Sequence, residues 1–108
     1  MTVYAVFEVV VDATAGPEAA AGYERYRAAV PPLIERFGGR YLVRAGTGLV
    51  IEGDATSARW HIVEFPDLAS AEAFWSCPEY QAIKPLRAGA ADVRAVLVSA
   101  PPTSVRTL

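Results

Sequence analysis

The sequence predicts a single α+β domain of β-α-β-β-α-β order, an antiparallel sheet with two helices on one face. Three observations predict it. Four apolar, β-branched segments recur along the chain. Two stretches with apolar residues at helical spacing separate the first strand from the second and the third from the fourth. The two middle strands are joined without a helix, so they form a hairpin, and each helix makes a crossover. That order is the ferredoxin-like split βαβ unit. A chain of 108 residues suits one domain, expected over residues 1–100, with 101–108 as a polar C-terminal tail.

The first strand is Val3 to Val11, rich in β-branched and aromatic residues and interrupted only by Glu8. Asp12 ends it. Gly16-Pro17-Glu18 opens the first helix, with proline and an acid in the first turn. Tyr23, Tyr26, Val30, Leu33, Ile34 and Phe37 form one apolar stripe that faces the sheet. Pro31-Pro32 lies inside that stripe and is expected to kink or split the helix. Gly38-Gly39 ends it. Arg40 to Gly53 reads as a long extended segment broken at Gly46-Thr47-Gly48 by a bulge or tight turn. Residues 54–58 form a polar turn, and Arg59 to Phe65 is the third strand, closed by Pro66. Ser70 caps a short helix carrying Phe74 and Trp75. Ser76-Cys77-Pro78-Glu79 has the form of a capping box that starts a second helical piece, running to about Ala88. Asp92 to Ser99 is the last strand.

Both helices lie on one face, so the other face of the sheet is bare, and its apolar residues call for a partner. A homodimer is expected. Net charge is −2 with no basic patch, which argues against nucleic acid. No apolar run approaches the roughly 18 residues of a membrane span. The apolar N-terminal residues lack a basic leader and read as a strand, not as a signal peptide. The single cysteine, Cys77, allows no intrachain disulfide, so a cytoplasmic protein is expected.

Several stretches then form a recognisable set: Gly38-Gly39-Arg40-Tyr41-Leu42-Val43-Arg44, Glu52-Gly53, Glu64-Phe65-Pro66, Ala73-Phe74-Trp75-Ser76-Cys77-Pro78-Glu79-Tyr80-Gln81, and Arg87. In this order they resemble domain-of-unknown-function family 1330, within the dimeric α/β-barrel superfamily. The resemblance covers about residues 3–99. It implies two ferredoxin-like sheets packed face to face as a dimer, and it implies no particular reaction. The wider superfamily includes cofactor-free monooxygenases, isomerases, polyketide cyclases and haem-degrading enzymes, and fold does not fix function.

His61 is the only histidine, and histidine is the commonest general base near neutral pH. Strand alternation puts Arg59, His61, Val63 and Phe65 on one face, the helix side. Tyr23, Tyr26, Trp75 and Tyr80 are placed to reach the same cavity, whose aromatic walls suit a planar or polyketide-like ligand. The alternative is a satisfied histidine on a half-buried strand with the aromatics as plain core. Arg44, Glu52, Arg59 and Glu64 are charges inside apolar strands. They form either an anion or enol site, or an ion-pair network that fixes register or an interface. Glu8, Glu64 and Arg94 are expected to neighbour one another. The expected catalytic set is His61, Glu64 and Arg44; the expected substrate-binding set is Tyr26, Arg59, Trp75, Tyr80 and Arg87. Cys77 reads as structural. One histidine and one cysteine 16 positions apart make no zinc set, so neither metal nor other cofactor is expected.

Two functions follow. One is a cofactor-independent enzyme of cyclase, isomerase or monooxygenase type acting on a small organic molecule. The other is a non-catalytic binding or accessory dimer. A haem-degrading role is disfavoured by the mid-strand position of His61.

Overall fold

The computed structural model describes residues 1–99. The expected tail, 101–108, lies outside the described residues. The elements are β1 (Val3–Val11), α1 (Pro17–Arg36), β2 (Arg40–Thr47), β3 (Arg59–Phe65), α2 (Leu68–Ser76), α3 (Pro78–Ile83), a 3₁₀ turn (Lys84–Arg87) and β4 (Ala91–Ser99). The sheet is antiparallel in the order β2-β3-β1-β4, the ferredoxin-like arrangement that the element order predicts.

Strand alternation divides the sheet cleanly. In β1 the odd residues Val3, Ala5, Phe7 and Val9 are buried. Across the ladder they meet Phe65, Val63, His61 and Arg59 of β3, which places those four side chains on the helix face. The even residues Tyr4, Val6 and Glu8, with Trp60, Ile62 and Glu64, face the other way. The helices cover the odd face with Tyr26, Val30 and Ile34 of α1, Ala71 and Phe74 of α2, and Tyr80 of α3. Tyr80, Phe65, Phe74 and Ile34 are the largest fully buried side chains. Each such side chain contributes on the order of 2 kcal/mol of burial, enough to fix which face of each helix turns inward.

Several boundaries differ from the sequence reading. α1 is not split at Pro31 and Pro32 but continues through them as one helix. Those prolines deny the Arg27 and Ala28 carbonyls their usual donors, but the stripe Tyr26, Val30, Ile34 is buried on both sides of them, and that packing holds the helix in register. β2 ends at Thr47, short of Gly53. Its irregularities fall between Tyr41 and Val43 and between Val43 and Gly46, not at 46–48. Ala45, at φ 55°, takes the left-handed conformation of the second one. The cap of α2 is Asp67, whose carboxylate accepts the Ser70 N–H at 2.7 Å; Ser70 is the donor and not the cap. The next cap is Cys77, whose Sγ accepts the Tyr80 N–H at 3.3 Å, while the Ser76 hydroxyl donates back to the Glu72 carbonyl. α3 ends at Ile83 and passes into the 3₁₀ turn.

One close approach fixes how that turn docks. A Cβ at Gly22, mid-α1, would lie 2.6 Å from the Leu86 carbonyl oxygen, so only glycine lets the backbones meet.

Candidate functional site

His61 is half-buried on the helix face of β3, as strand parity predicts. It lines a cavity of about 70 Å³ between sheet and α1, walled by Phe7, Val9, Tyr26, Val30, Tyr41 and Arg44, among others. It also lines an outer groove of about 610 Å³ that includes Asp12, Glu24, Arg27 and Arg59. Tyr23, Arg27, Ala45 and His61 border both spaces, so His61 stands at the throat between an apolar interior and a charged mouth.

The imidazole is held by its neighbours. His61 Nδ1 accepts the Ala45 N–H at 3.1 Å, and the Tyr41 ring meets it edge-on with centroids 5.9 Å apart. The left-handed turn at Ala45 aims that N–H inward, so the bulge in β2 sets the histidine. Burial lowers the His61 pKa from its ordinary value, and the Arg44 and Arg27 charges lower it further. The ring is therefore neutral at pH 7, with its proton on Nε2. In this tautomer it offers a hydrogen-bond donor to the cavity. To act as the expected base at Nε2 it would have to give up the Ala45 bond.

Arg44 lies over the Tyr41 ring, 5.3 Å from its centroid. Burial pushes the Tyr41 phenol up to about 12, against the opposing pull of Arg44, so it too is a neutral donor. Arg27 pairs with Glu24 on its own helix at 3.0 Å. Among the described residues, neither Arg44 nor Arg59 has an ion-pair partner.

The other expected site residues lie apart from this throat. Glu64 is on the opposite face of the sheet, three residues from His61, and accepts from Arg40 at 3.2 Å. It does not join His61, because an odd spacing along a strand crosses the sheet. Nor does it neighbour Glu8 and Arg94: those two stand directly across the β1–β4 ladder, while Glu64 is opposite Tyr4. Of the four aromatics expected around His61, Tyr23 and Tyr26 line its cavity and Trp75 and Tyr80 do not. Trp75 stacks on Phe7 and lines a separate space of about 180 Å³ with Phe74, Ala95 and Leu97. Tyr80 is fully buried. Its hydroxyl meets the Tyr26 hydroxyl at 2.9 Å, and Arg87 Nη1 donates to both oxygens, at 2.8 Å to Tyr26 and 3.0 Å to Tyr80. Burial, then the neighbouring Tyr80, holds the Tyr26 phenol well above the ordinary range. Tyr80 and Arg87 thus support the cavity through Tyr26 from behind. Glu52 is exposed in the loop after β2.

Two wall residues escaped the sequence reading as site residues, Arg27 and Tyr41. Arg27 was findable four residues after Tyr23 on α1, on the flank of the apolar stripe. Tyr41 depends on the pairing Tyr41↔Val63, which the bulge sets.

Fold and pocket together define a ferredoxin-like α+β domain with a small cavity between helices and sheet. The chain belongs to the family described as Domain of unknown function (DUF1330), which matches residues 2–101. No curated protein matches it. Among solved structures, the RPA0582 protein of unknown function from Rhodopseudomonas palustris is similar at 22% identity, TM-score 0.73, over 94% of this chain and 84% of that one. A dimeric ferredoxin-like protein of unknown function from Jannaschia sp. is similar at 14% identity, TM-score 0.63, over 93% and 100%. SnoaB, a cofactor-independent oxygenase from Streptomyces nogalater, is similar at 19% identity, TM-score 0.57, over 94% and 95%. These likenesses establish the fold. Among the described residues, no helix is long and apolar enough to cross a membrane.

Proposed function

We propose that this protein is a cytoplasmic homodimer that acts on a small organic molecule in the His61 cavity, as a cofactor-independent enzyme of cyclase, isomerase or oxygenase type. The observation that carries the reading is the throat: an apolar cavity walled by tyrosines, closed at one end by the chain's only histidine. The likeness to SnoaB, an enzyme of the cofactor-independent kind, supports it at the level of fold. Dimerisation is supported by the dimeric relatives and by the uncovered sheet face, where Val43, Val96 and Val98 are all more than a third exposed.

The reaction is tested by measuring oxygen uptake and product formation on a panel of activated phenols and enols. Turnover of at least one, lost in His61→Ala with the melting temperature held within a few degrees, is the expected result. Binding without turnover across the panel would favour a second reading, a non-catalytic binding dimer. One observation already leans that way, since His61 Nδ1 is committed to Ala45 and the ring presents a donor instead of a base.

A further inference from the structure

The charged groups at the throat are not balanced. Arg27, Arg44 and Arg59 border the two connected spaces, against Asp12 and Glu24. Both acids are already engaged. Glu24 holds Arg27, and the Asp12 carboxylate accepts from the Thr14 N–H at 2.8 Å and the Thr14 hydroxyl at 2.6 Å. That leaves Arg44 and Arg59 without carboxylate partners among the described residues. The neutral polar groups beside them point the same way. His61 presents Nε2–H, because Nδ1 is occupied by Ala45. The Tyr41 hydroxyl keeps its proton throughout the neutral range. Arg44, Tyr41 and His61 therefore bring donors and positive charge to one side of an inner space whose other walls include Phe7, Val9, Val30, Ile34 and Val93. A guanidinium binds two oxygens of a planar anion at once, and a neutral imidazole N–H adds a third donor.

We propose that the His61 throat selects small organic anions, a carboxylate or enolate held by Arg44 and the His61 Nε2–H, with a short apolar body directed into the inner cavity. This rests on the pocket assigned above and names the class of molecule it takes. The inner space, about 70 Å³, is smaller than the roughly 150 Å³ cavity that holds a benzene ring. It therefore takes a short chain or the edge of a ring, and the rest of the ligand lies in the outer groove. His61 serves here as an oxyanion donor, the kind of group that stabilises charge as it develops on oxygen.

The test uses the full-length protein and matched pairs of ligands: butyrate with butyramide, and benzoate with benzamide. Binding is read by calorimetry and by the imidazole Cε1–H resonance, unique because the chain has one histidine. Each acid is expected to bind at least tenfold tighter than its amide and to shift the histidine signal. Arg44→Met is expected to weaken the acids about tenfold, leave the amides unchanged, and be partly rescued in Arg44→Lys. Amides that shift the histidine as strongly as the acids, or an Arg44→Met variant that weakens both classes alike, would overturn the anion assignment while leaving a small-molecule pocket in place. Failure of every ligand to move the histidine signal, with binding seen elsewhere or not at all, would overturn both.

Discussion

Replacing Tyr80 with phenylalanine removes one oxygen from the centre of the fold and nothing else. Its ring contacts with Phe74 at 4.8 Å and Trp75 at 5.0 Å survive, so the substitution leaves no ring-sized cavity. Two hydrogen bonds are lost: one between neutral phenols, worth about 1 kcal/mol, and one from a guanidinium, worth about 1.5–3 kcal/mol. Part of this returns, because Arg87 still donates to Tyr26 at 2.8 Å and is exposed enough to recruit water. The net cost is therefore about 1.5–2.5 kcal/mol, a fall of roughly 6–20 °C in melting temperature for a chain of this length. Equilibrium urea unfolding at fixed protomer concentration measures it, because an associating protein's stability depends on concentration. Arg87→Met provides the second corner of a cycle. The three groups share bonds, so the double variant is expected to lose at least about 0.5 kcal/mol less than the sum of the singles. A Tyr80→Phe change of less than about 0.5 kcal/mol, or strictly additive losses, would refute the support of Tyr26 by Tyr80 and Arg87 acting as a unit.

Gly22→Ala ordinarily strengthens a helix by about 1 kcal/mol; here its Cβ would strike the Leu86 carbonyl. A net loss of roughly 1–3 kcal/mol is expected, and a stabilised variant in urea melts would contradict the close docking. The depressed His61 pKa means the unfolded chain binds the extra proton more readily than the folded one. His61 should therefore cost no stability above its unfolded pKa, about 6.5. The loss grows as pH falls below that value and levels off below the folded pKa. His61→Phe should flatten this stretch of the stability–pH profile, and an unchanged slope would place the proton elsewhere. Val96→Arg on the uncovered sheet face should halve the mass seen in sedimentation, from about twice 11.6 kDa to one chain; an unshifted dimer would move the interface off that face.

The strands and their order were legible because alternation and turn residues are local signals. Arg59–Phe65, bounded by a polar turn and Pro66, has the same limits in sequence and structure. His61 on the helix face follows from the same alternation, which also puts Glu64, three residues on, on the other face. What was not legible depended on angles between elements. Cys77, extended at ψ 146°, breaks the helical register between Trp75 and Tyr80. That break sends Trp75 toward Phe7 and Tyr80 toward Tyr26, so no single helical wheel could place both. The partner of His61 Nδ1 was hidden for another reason. It is a backbone N–H, presented by a bulge whose left-handed residue is an alanine, where sequence gives no glycine or asparagine to mark it.

The two tryptophans stand on opposite sides of the sheet. Trp60 lies on the uncovered face, close enough to Gly48 that a Cβ there would come within 2.7 Å of its indole nitrogen. Trp75 is packed against Phe7 and Tyr80 beneath the helices. The molecule therefore carries two fluorophores with separate assignments. In a Trp75→Phe background, emission follows what covers the bare face. In a Trp60→Phe background, it follows the packing of the interior. If assembly and folding are one event, the two signals will move together on dilution and in denaturant. If a folded single chain exists, Trp60 will redden first and Trp75 will keep its colour.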